Sequence, residues 1–150
     1  MLSKLPKWFY SSFRDHINTT VGATYQLYFS GDESEPDAKI DVVIIGPTIE
    51  PIAKDQYQIE MLTNFTIKVP VEEDKEYLVH TMGGVCLAAI SGIISIYKYG
   101  DGAEKLGCMN VPNDSRRRIR YVHHGIVEPN TELVQATVNA RHELTLNLGD

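Results

Sequence analysis

Two adjacent histidines, His123 and His124, are the residues whose type most readily suggests metal binding or general-base catalysis. They stand in a stretch with the composition of a β-strand, and neighbouring residues of a strand point to opposite faces. The pair therefore cannot bind one ion together, and we interpret both as ordinary sheet histidines. His142 falls on the apolar side of another strand pattern, where a core or interface histidine is a simpler interpretation than a metal ligand.

The other reactive residue types form no catalytic or metal-binding pattern. Cys86 and Cys108 lack zinc-site spacing and suggest no disulfide framework, so we expect reduced thiols. The glycines at 83–84 and 100–102 match neither phosphate-loop pattern. No serine or cysteine stands in a nucleophile elbow. The sequence thus predicts no catalytic residue, no metal and no cofactor, and we expect that the protein is not an enzyme.

Two charged clusters remain as candidate subunit-interface residues. The acidic cluster lacks the ligand spacing and terminal Glu of a calcium loop, so we interpret it as a solvated loop; it comprises Asp32, Glu33, Glu35 and Asp37. The basic cluster comprises Arg116, Arg117, Arg118 and Arg120. Phosphate and an acidic patch on a neighbouring subunit both remain open as its partner, and the acidic cluster would be a natural one.

The composition fits a single domain, 1–150, with enough apolar residues for a packed core, because 43% of the 150 residues are hydrophobic. The formal net charge of −6 argues weakly against a general nucleic-acid binder. The first residues lack the apolar core of a signal peptide, and no run approaches the roughly 20 apolar residues of a membrane span. We expect synthesis in the cytoplasm and no membrane partner.

Two long strands dominate the pattern. From 134 to 148 the even positions are apolar or His, and over 57–69 the odd positions are largely apolar. Leu62 and Thr63 interrupt the second alternation, which leaves room for a bulge or twist there. Shorter strands are predicted over 24–29, 40–45, 93–99 and 118–127.

Two helices are predicted, over 6–20 and 72–92. In the first, Phe9, Phe13 and Ile17 recur at helical spacing on one face. In the second, the glycine pair 83–84 costs about 1 kcal/mol per residue against alanine. Close packing of the helix backbone onto a sheet would explain the pair, and a helix break is the alternative. The element order predicts an α+β fold: an antiparallel sheet with long strands and two helices packed on one face.

Two further stretches are predicted to be loops. Prolines 47 and 51 exclude a central strand over 46–56, so we expect an extended, projecting loop there. Residues 100–117 are polar and contain Gly and Pro, which predicts a long loop. The candidate contact residues in these two loops are Pro47, Glu50, Lys54, Asp101, Glu104 and Lys105.

Three segments, in this order, resemble the tail-terminator (tail-completion) and head-to-tail joining proteins of long-tailed bacteriophages. The first is IDVVIIGP at 40–47, followed by a loop and the strand 57–69. The second is IYKYGDG at 96–102, followed by LGCM at 106–109. The third is HGIV at 124–127, with the turn 128–131 and VQATV at 134–138. The N-terminal amphipathic helix also fits, and the resemblance spans roughly residues 5–148.

The resemblance implies a virion structural protein that assembles as a ring, in this family a hexamer. Such a ring caps the last ring of the tail tube, stops polymerisation and joins the tail to the head connector. Genomic DNA would pass through the lumen without sequence-specific binding. The implied partners are other copies of the chain, the tail-tube protein and a head-completion or connector protein, and the implied location is the tail or neck of the virion.

Three alternatives stay open. The nearest is another head–tail part, either a stopper or a tail-tube subunit, and open-ended tubes would favour the latter. The second is a small α+β ligand-binding domain or enzyme with a pocket between helix 72–92 and the sheet. The third is a nucleic-acid-binding module that uses the basic cluster, and it predicts strongly salt-dependent binding.

Overall fold

The computed structural model describes residues 2–29, 39–71, 76–99, 104–112, 119–127 and 130–148. The helices are a short 3-10 turn (Leu2–Lys4), α1 (Leu5–Thr20) and α2 (Glu76–Ser91). The strands are β1 (Leu27–Phe29), β2 (Lys39–Ala53), β3 (Gln56–Pro70), β4 (Ile94–Lys98), β5 (Glu104–Met109), β6 (Ile119–Val127) and β7 (Asn130–Asn147).

Five strands form the main sheet, in the order β1-β2-β3-β7-β6, and β4 and β5 form a separate hairpin. Every pair in the main sheet is antiparallel except β1–β2, which is parallel. The predicted α+β class is confirmed. The sheet is mixed rather than wholly antiparallel, because β1 pairs parallel with β2.

The pairing of β3 with β7 is the longest among the described strands and has no register shift, running from Gln56 opposite Asn147 to Pro70 opposite Leu133. The predicted alternation is confirmed on both strands, with Phe65 and Val138 among the fully buried side chains. The bulge considered at residues 62–63 is absent from the pairing with β7, but the pairing with β2 shifts register next to it, between Ile45 opposite Leu62 and Thr48 opposite Glu60. Thr63 is buried on the same side as its apolar neighbours, so the strand keeps its period of two through this position.

Both helices and the β4–β5 hairpin cover one face of the main sheet, as predicted for the helices. Phe9 and Phe13 of α1 belong to one cluster of buried side chains with Ile59 of β3, and Ile96 of β4 joins the same cluster. A second cluster packs α2 against the other half of the sheet and contains Met82, Cys86, Phe65 and Val138. Each large apolar side chain buried in this way contributes about 1.5–3 kcal/mol.

The projecting loop predicted over 46–56 is wrong, because β2 continues through both prolines to Ala53. Proline is excluded from central strands, and among the described strands this part of β2 is an edge, because β1 pairs only with residues 40–42. Register shifts against β3 occur between Ile45 and Thr48 and between Pro51 and Ala53. Proline is tolerated on edge strands and at such irregularities because no ladder hydrogen bond has to be donated there.

The long loop predicted over 100–117 is also wrong in its middle, where β5 pairs antiparallel with β4. Met109 at the end of β5 is fully buried, and this burial fixes the hairpin on the sheet. The strand is not recognisable in the sequence, because Glu104 and Lys105 are exposed and Gly107 is only half-buried. Residues 100–103 and 113–118 lie outside the described residues.

The glycine pair in α2 has two different environments. A Cβ on Gly83 would stand 2.3 Å from the Tyr121 ring of β6, whereas a Cβ on Gly84 would meet nothing within 4 Å. The helix runs unbroken from Glu76 to Ser91, so the close-packing prediction is confirmed for Gly83 and the helix break is absent. The predicted start of this helix, at residues 72–75, lies outside the described residues.

Candidate functional site: the open face of the sheet

The second face of the main sheet, which we call the open face, carries the outward side chains of β2, β3, β7 and β6. Val43, Ile45 and Leu62 lie on it and are 39%, 57% and 38% exposed. Ile45 and Leu62 are direct cross-strand partners. Single exposed apolar side chains are common on proteins, but adjacent ones form a patch that another surface can cover. The open face is therefore the leading candidate for a contact surface.

A concavity of about 410 Å³ lies at the centre of the open face. Its lining is Ile45, Leu62, Thr63, Asn64, Asn139, Ala140 and Arg141. Arg141 is the one charged residue of this lining, so the floor of the concavity is apolar or neutral. A partner that covers this surface gains from burying Ile45 and Leu62 and has to supply hydrogen bonds to the amides of Asn64 and Asn139.

The charged residues of the open face lie mostly towards its two ends, and Arg141 extends from one of these ends into the central concavity. At the lysine end, Asp41 lies between Lys39 and Lys68, with N–O distances of 3.4 and 3.2 Å. At the glutamate end, Arg141 Nε lies 2.8 Å from Glu60 Oε2, and the same guanidinium donates to Glu143.

Glu50 belongs to the glutamate end as well, because it stands opposite Gln58 and cross-strand partners share a face. Arg120 is exposed at the margin of the open face, on β6 opposite Asn139.

His123 and His124 point to opposite faces, as predicted. The His123 ring lies 4.6 Å from that of His80, and its Nε2 is 3.5 Å from Glu76 Oε1, on the α2 side. His124 Nε2 lies 2.9 Å from Thr137 Oγ1 on the open face. Among the described residues, no group of three or more His, Cys, Asp or Glu side chains is arranged to hold a metal ion.

His142 is a fully buried core residue. Its ring meets that of Phe13 edge-to-face, with centroids 5.3 Å apart. Burial lowers the pKa of His142 from 6.5 to about 4, and the nearby carbonyl groups of Ile90 and Gly92 partly oppose this fall. Neither ring nitrogen reaches hydrogen-bond geometry within the described part of the chain. The imidazole is therefore neutral near pH 7 and acts as a packing group.

A second concavity, of about 300 Å³, lies between α1 and β4. On its walls the backbone N–H of Tyr97 donates to Ser12 Oγ over 2.9 Å, and the Tyr99 hydroxyl donates to Asp15 Oδ2 over 2.6 Å. Among the described residues, the space between α2 and the sheet that would hold the expected pocket contains the buried side chains of Met82 and Cys86, packed against the strands.

The sequence-predicted contact residues are scattered. Pro47 and Glu50 lie on β2, Lys54 lies in the turn after it, and Glu104 and Lys105 lie on β5. Glu104 is paired with Lys98 over 3.8 Å. Outside the described residues lie Asp32, Glu33, Glu35, Asp37, Asp101, Arg116, Arg117 and Arg118.

The open face itself is not among the sites predicted from the sequence. Its signal was present in the alternation, where Val43, Ile45 and Leu62 are apolar at positions that point away from the helices.

No helix in the described ranges has both the length and the apolar character needed to cross a membrane.

Comparison with known proteins identifies a shared fold and no family. No protein-family model matches the chain, and no curated protein matches it. Ten chains of solved structures match. One of them, a protein without a functional name, has a TM-score of 0.58 and 10% sequence identity over 91% of this chain and 93% of its own. At this identity the likeness shows the architecture alone.

Proposed function

We propose that the protein is a structural subunit of a bacteriophage virion. In this proposal it forms a ring at the head-proximal end of a long tail, ends polymerisation of the tail tube and joins the tail to the head connector. DNA passes through the lumen of the ring. The proposal combines the sequence resemblance with one structural observation, the apolar side chains that the chain exposes at several separate places.

Exposed apolar side chains at three places are used in this proposal. The first is the apolar centre of the open face. The second is Ile52, 55% exposed near the turn between β2 and β3, and the third is Ile93, 62% exposed just after α2. A ring built from identical subunits needs two different patches on each subunit, one for each neighbour. A subunit that also contacts a tube or a connector needs a further surface. Other large apolar side chains of the described residues are exposed as well, among them Tyr77 and Ile126, so the chain offers more apolar places than the two that a ring requires.

Ile52 and Ile93 are the candidate contacts within the ring. Both side chains are already largely in water, so an aspartate at either position costs the isolated fold little. An aspartate buried in a subunit contact is unpaired and costs several kcal/mol, which is enough to open a ring. The substitutions Ile52→Asp and Ile93→Asp therefore test assembly without testing folding.

The experiment is light scattering combined with negative-stain electron microscopy of the purified chain over a concentration series. The proposal predicts closed rings with a central opening, lost in Ile52→Asp and Ile93→Asp but kept in the control Leu2→Asp, whose side chain is 47% exposed elsewhere. Rings unaffected by both substitutions would refute the assigned contacts. Open-ended tubes would favour the tail-tube alternative, which shares the long-stranded sheet.

A further inference from the structure

The two ends of the open face carry opposite charge. Within the described ranges, the lysine end holds Lys39 and Lys68 with one carboxylate, Asp41, and the glutamate end holds three carboxylates, Glu50, Glu60 and Glu143, with one cation, Arg141. Glu60 and Lys68 stand on one strand, about 27 Å apart at a rise of roughly 3.4 Å per residue. The apolar patch and the central concavity lie between the two ends.

This arrangement is complementary to itself. A two-fold axis that lies between two facing sheets and runs across their strands reverses the strand direction of the second copy. The lysine end of each copy then faces the glutamate end of the other, and the apolar patches meet at the centre. A self-complementary patch of this kind is the requirement for an interface with two-fold symmetry.

Charge also favours the open face over the other surfaces of the chain as the place where two copies meet. The whole chain has a formal net charge of −6, so most approaches between two copies bring like charges together. The open face carries four cations and four carboxylates among its described residues, counting Arg120 at its margin. Two copies that meet there bring together faces with equal numbers of cations and carboxylates among the described residues, which lowers the local repulsion.

We infer that the open face is a two-fold interface between two copies of this chain, packed sheet on sheet with antiparallel strands. Facing sheets stack about 10 Å apart, which lets side chains such as Ile45 and Leu62 interdigitate. Four strands at about 4.8 Å spacing and a length of about 36 Å give on the order of 700 Å² per copy, close to the roughly 800 Å² of a standard interface.

The inference does not depend on the proposed ring. If rings form through other surfaces, a two-fold contact of the open faces joins two rings; without rings it gives a dimer. The first test is Leu62→Asp, at the centre of the patch, with Leu2→Asp as the matched control. The mass of the wild-type particle should fall by half in Leu62→Asp and stay unchanged in Leu2→Asp.

The second test uses the symmetry. Lys68→Glu places carboxylates against carboxylates at both ends of the interface, and Glu60→Lys places cations against cations, so each variant alone should associate at least about tenfold more weakly. In a mixture of the two variants, each end again faces the opposite charge. Equimolar mixing should therefore restore association between unlike copies, measured by native mass spectrometry, and circular dichroism checks that each variant is folded.

Several outcomes would overturn the inference. They are a wild-type chain that stays monomeric, an assembly whose mass does not change in Leu62→Asp, and variants that fail to associate when mixed. A wild-type assembly of more than two copies that falls directly to monomers in Leu62→Asp would show that the open face is used head-to-tail, and would also refute the two-fold geometry. Rings that survive Leu62→Asp at full mass would refute this inference while supporting the proposed function.

Discussion

Gly83 on α2 and Tyr121 on β6 are in closer contact than any side chain at position 83 would allow, because a Cβ there would stand 2.3 Å from Cε1 of the tyrosine. The Tyr121 hydroxyl is also tied to the same helix, 2.7 Å from His80 Nδ1. The ring is thus held at both its edge and its tip, which fixes the distance between α2 and the margin of the sheet.

Gly83→Ala should therefore destabilise the protein by about 1–3 kcal/mol, since the added methyl group has to displace the Tyr121 ring. Gly84→Ala is the matched control, because nothing lies within 4 Å of its Cβ position, and it should stabilise α2 by up to about 1 kcal/mol. Urea unfolding of both variants measures the two effects. Equal changes of the same sign would contradict the assigned contact.

Acid should weaken the fold through His142. Burial lowers its pKa from 6.5 to about 4, so between these values the unfolded chain binds a proton at this residue that the folded chain does not bind. The stability that this residue contributes is fully present above pH 6.5 and is lost as the pH falls towards 4, by at most about 1.4 kcal/mol per pH unit.

Urea unfolding across this pH window measures the loss. His142→Leu, which keeps the packing against Phe13 without a titrating group, should flatten the pH dependence. His16 is the nearby titratable group that also disfavours a charge on His142, and it stays in place in this variant. His124→Gln, at an exposed position, should keep the wild-type slope. An unchanged slope in His142→Leu would show that another group causes the acid sensitivity.

A substitution at Thr63 should raise the stability of the fold. Its hydroxyl is buried and has no hydrogen-bond partner among the described residues. Thr63→Val removes an unsatisfied polar atom at nearly constant volume and should raise the free energy of unfolding by about 1 kcal/mol. Thr66→Val on the same strand is the control, because Thr66 Oγ1 accepts a hydrogen bond from Asn64 Nδ2 over 3.3 Å and its loss should bring no gain. Thermal unfolding that ranks the two variants in the opposite order would refute this assignment.

The two free cysteines should react at very different rates. Cys86 is fully buried, and desolvation raises the pKa of its thiol to about 12, whereas Cys108 is half-buried on β5. Because the thiolate is the reacting form, a thiol reagent should modify native protein at Cys108 and reach Cys86 only on unfolding. Peptide mass spectrometry after timed labelling reads both sites, with Cys108→Ser as the variant that should stay unmodified. Labelling of Cys86 at the rate of Cys108 would contradict the packing of α2.

The periodicity of apolar residues predicts the strands and helices in which one face is buried and the other is exposed to solvent. The strands β3 and β7 and the helix α1 follow from alternation and from the spacing of Phe9, Phe13 and Ile17, because burial selects one residue type on each face. These elements are found within a few residues of their expected positions.

What depends on distant partners could not be predicted in the same way. Pro47 and Pro51 argue against a strand only if both sides of β2 are paired, and the short reach of β1 cannot be deduced from the prolines. The strand β5 exists because β4 pairs with it and Met109 is buried beneath it. The open face could not be predicted for the same reason. An apolar patch on one side of a sheet is recognised only when the helices are known to cover the other side.

The central claim is that this protein works as a subunit of a symmetric assembly, and the most direct test is the mass of the purified chain by light scattering across a concentration series at moderate salt. A symmetric assembly predicts a discrete multimer, six copies for a single ring or twice that number for two rings joined through their open faces, with closed rings in the same sample by electron microscopy. A monomer at every concentration would contradict it and would direct attention to the concavity between α1 and β4 as a binding pocket.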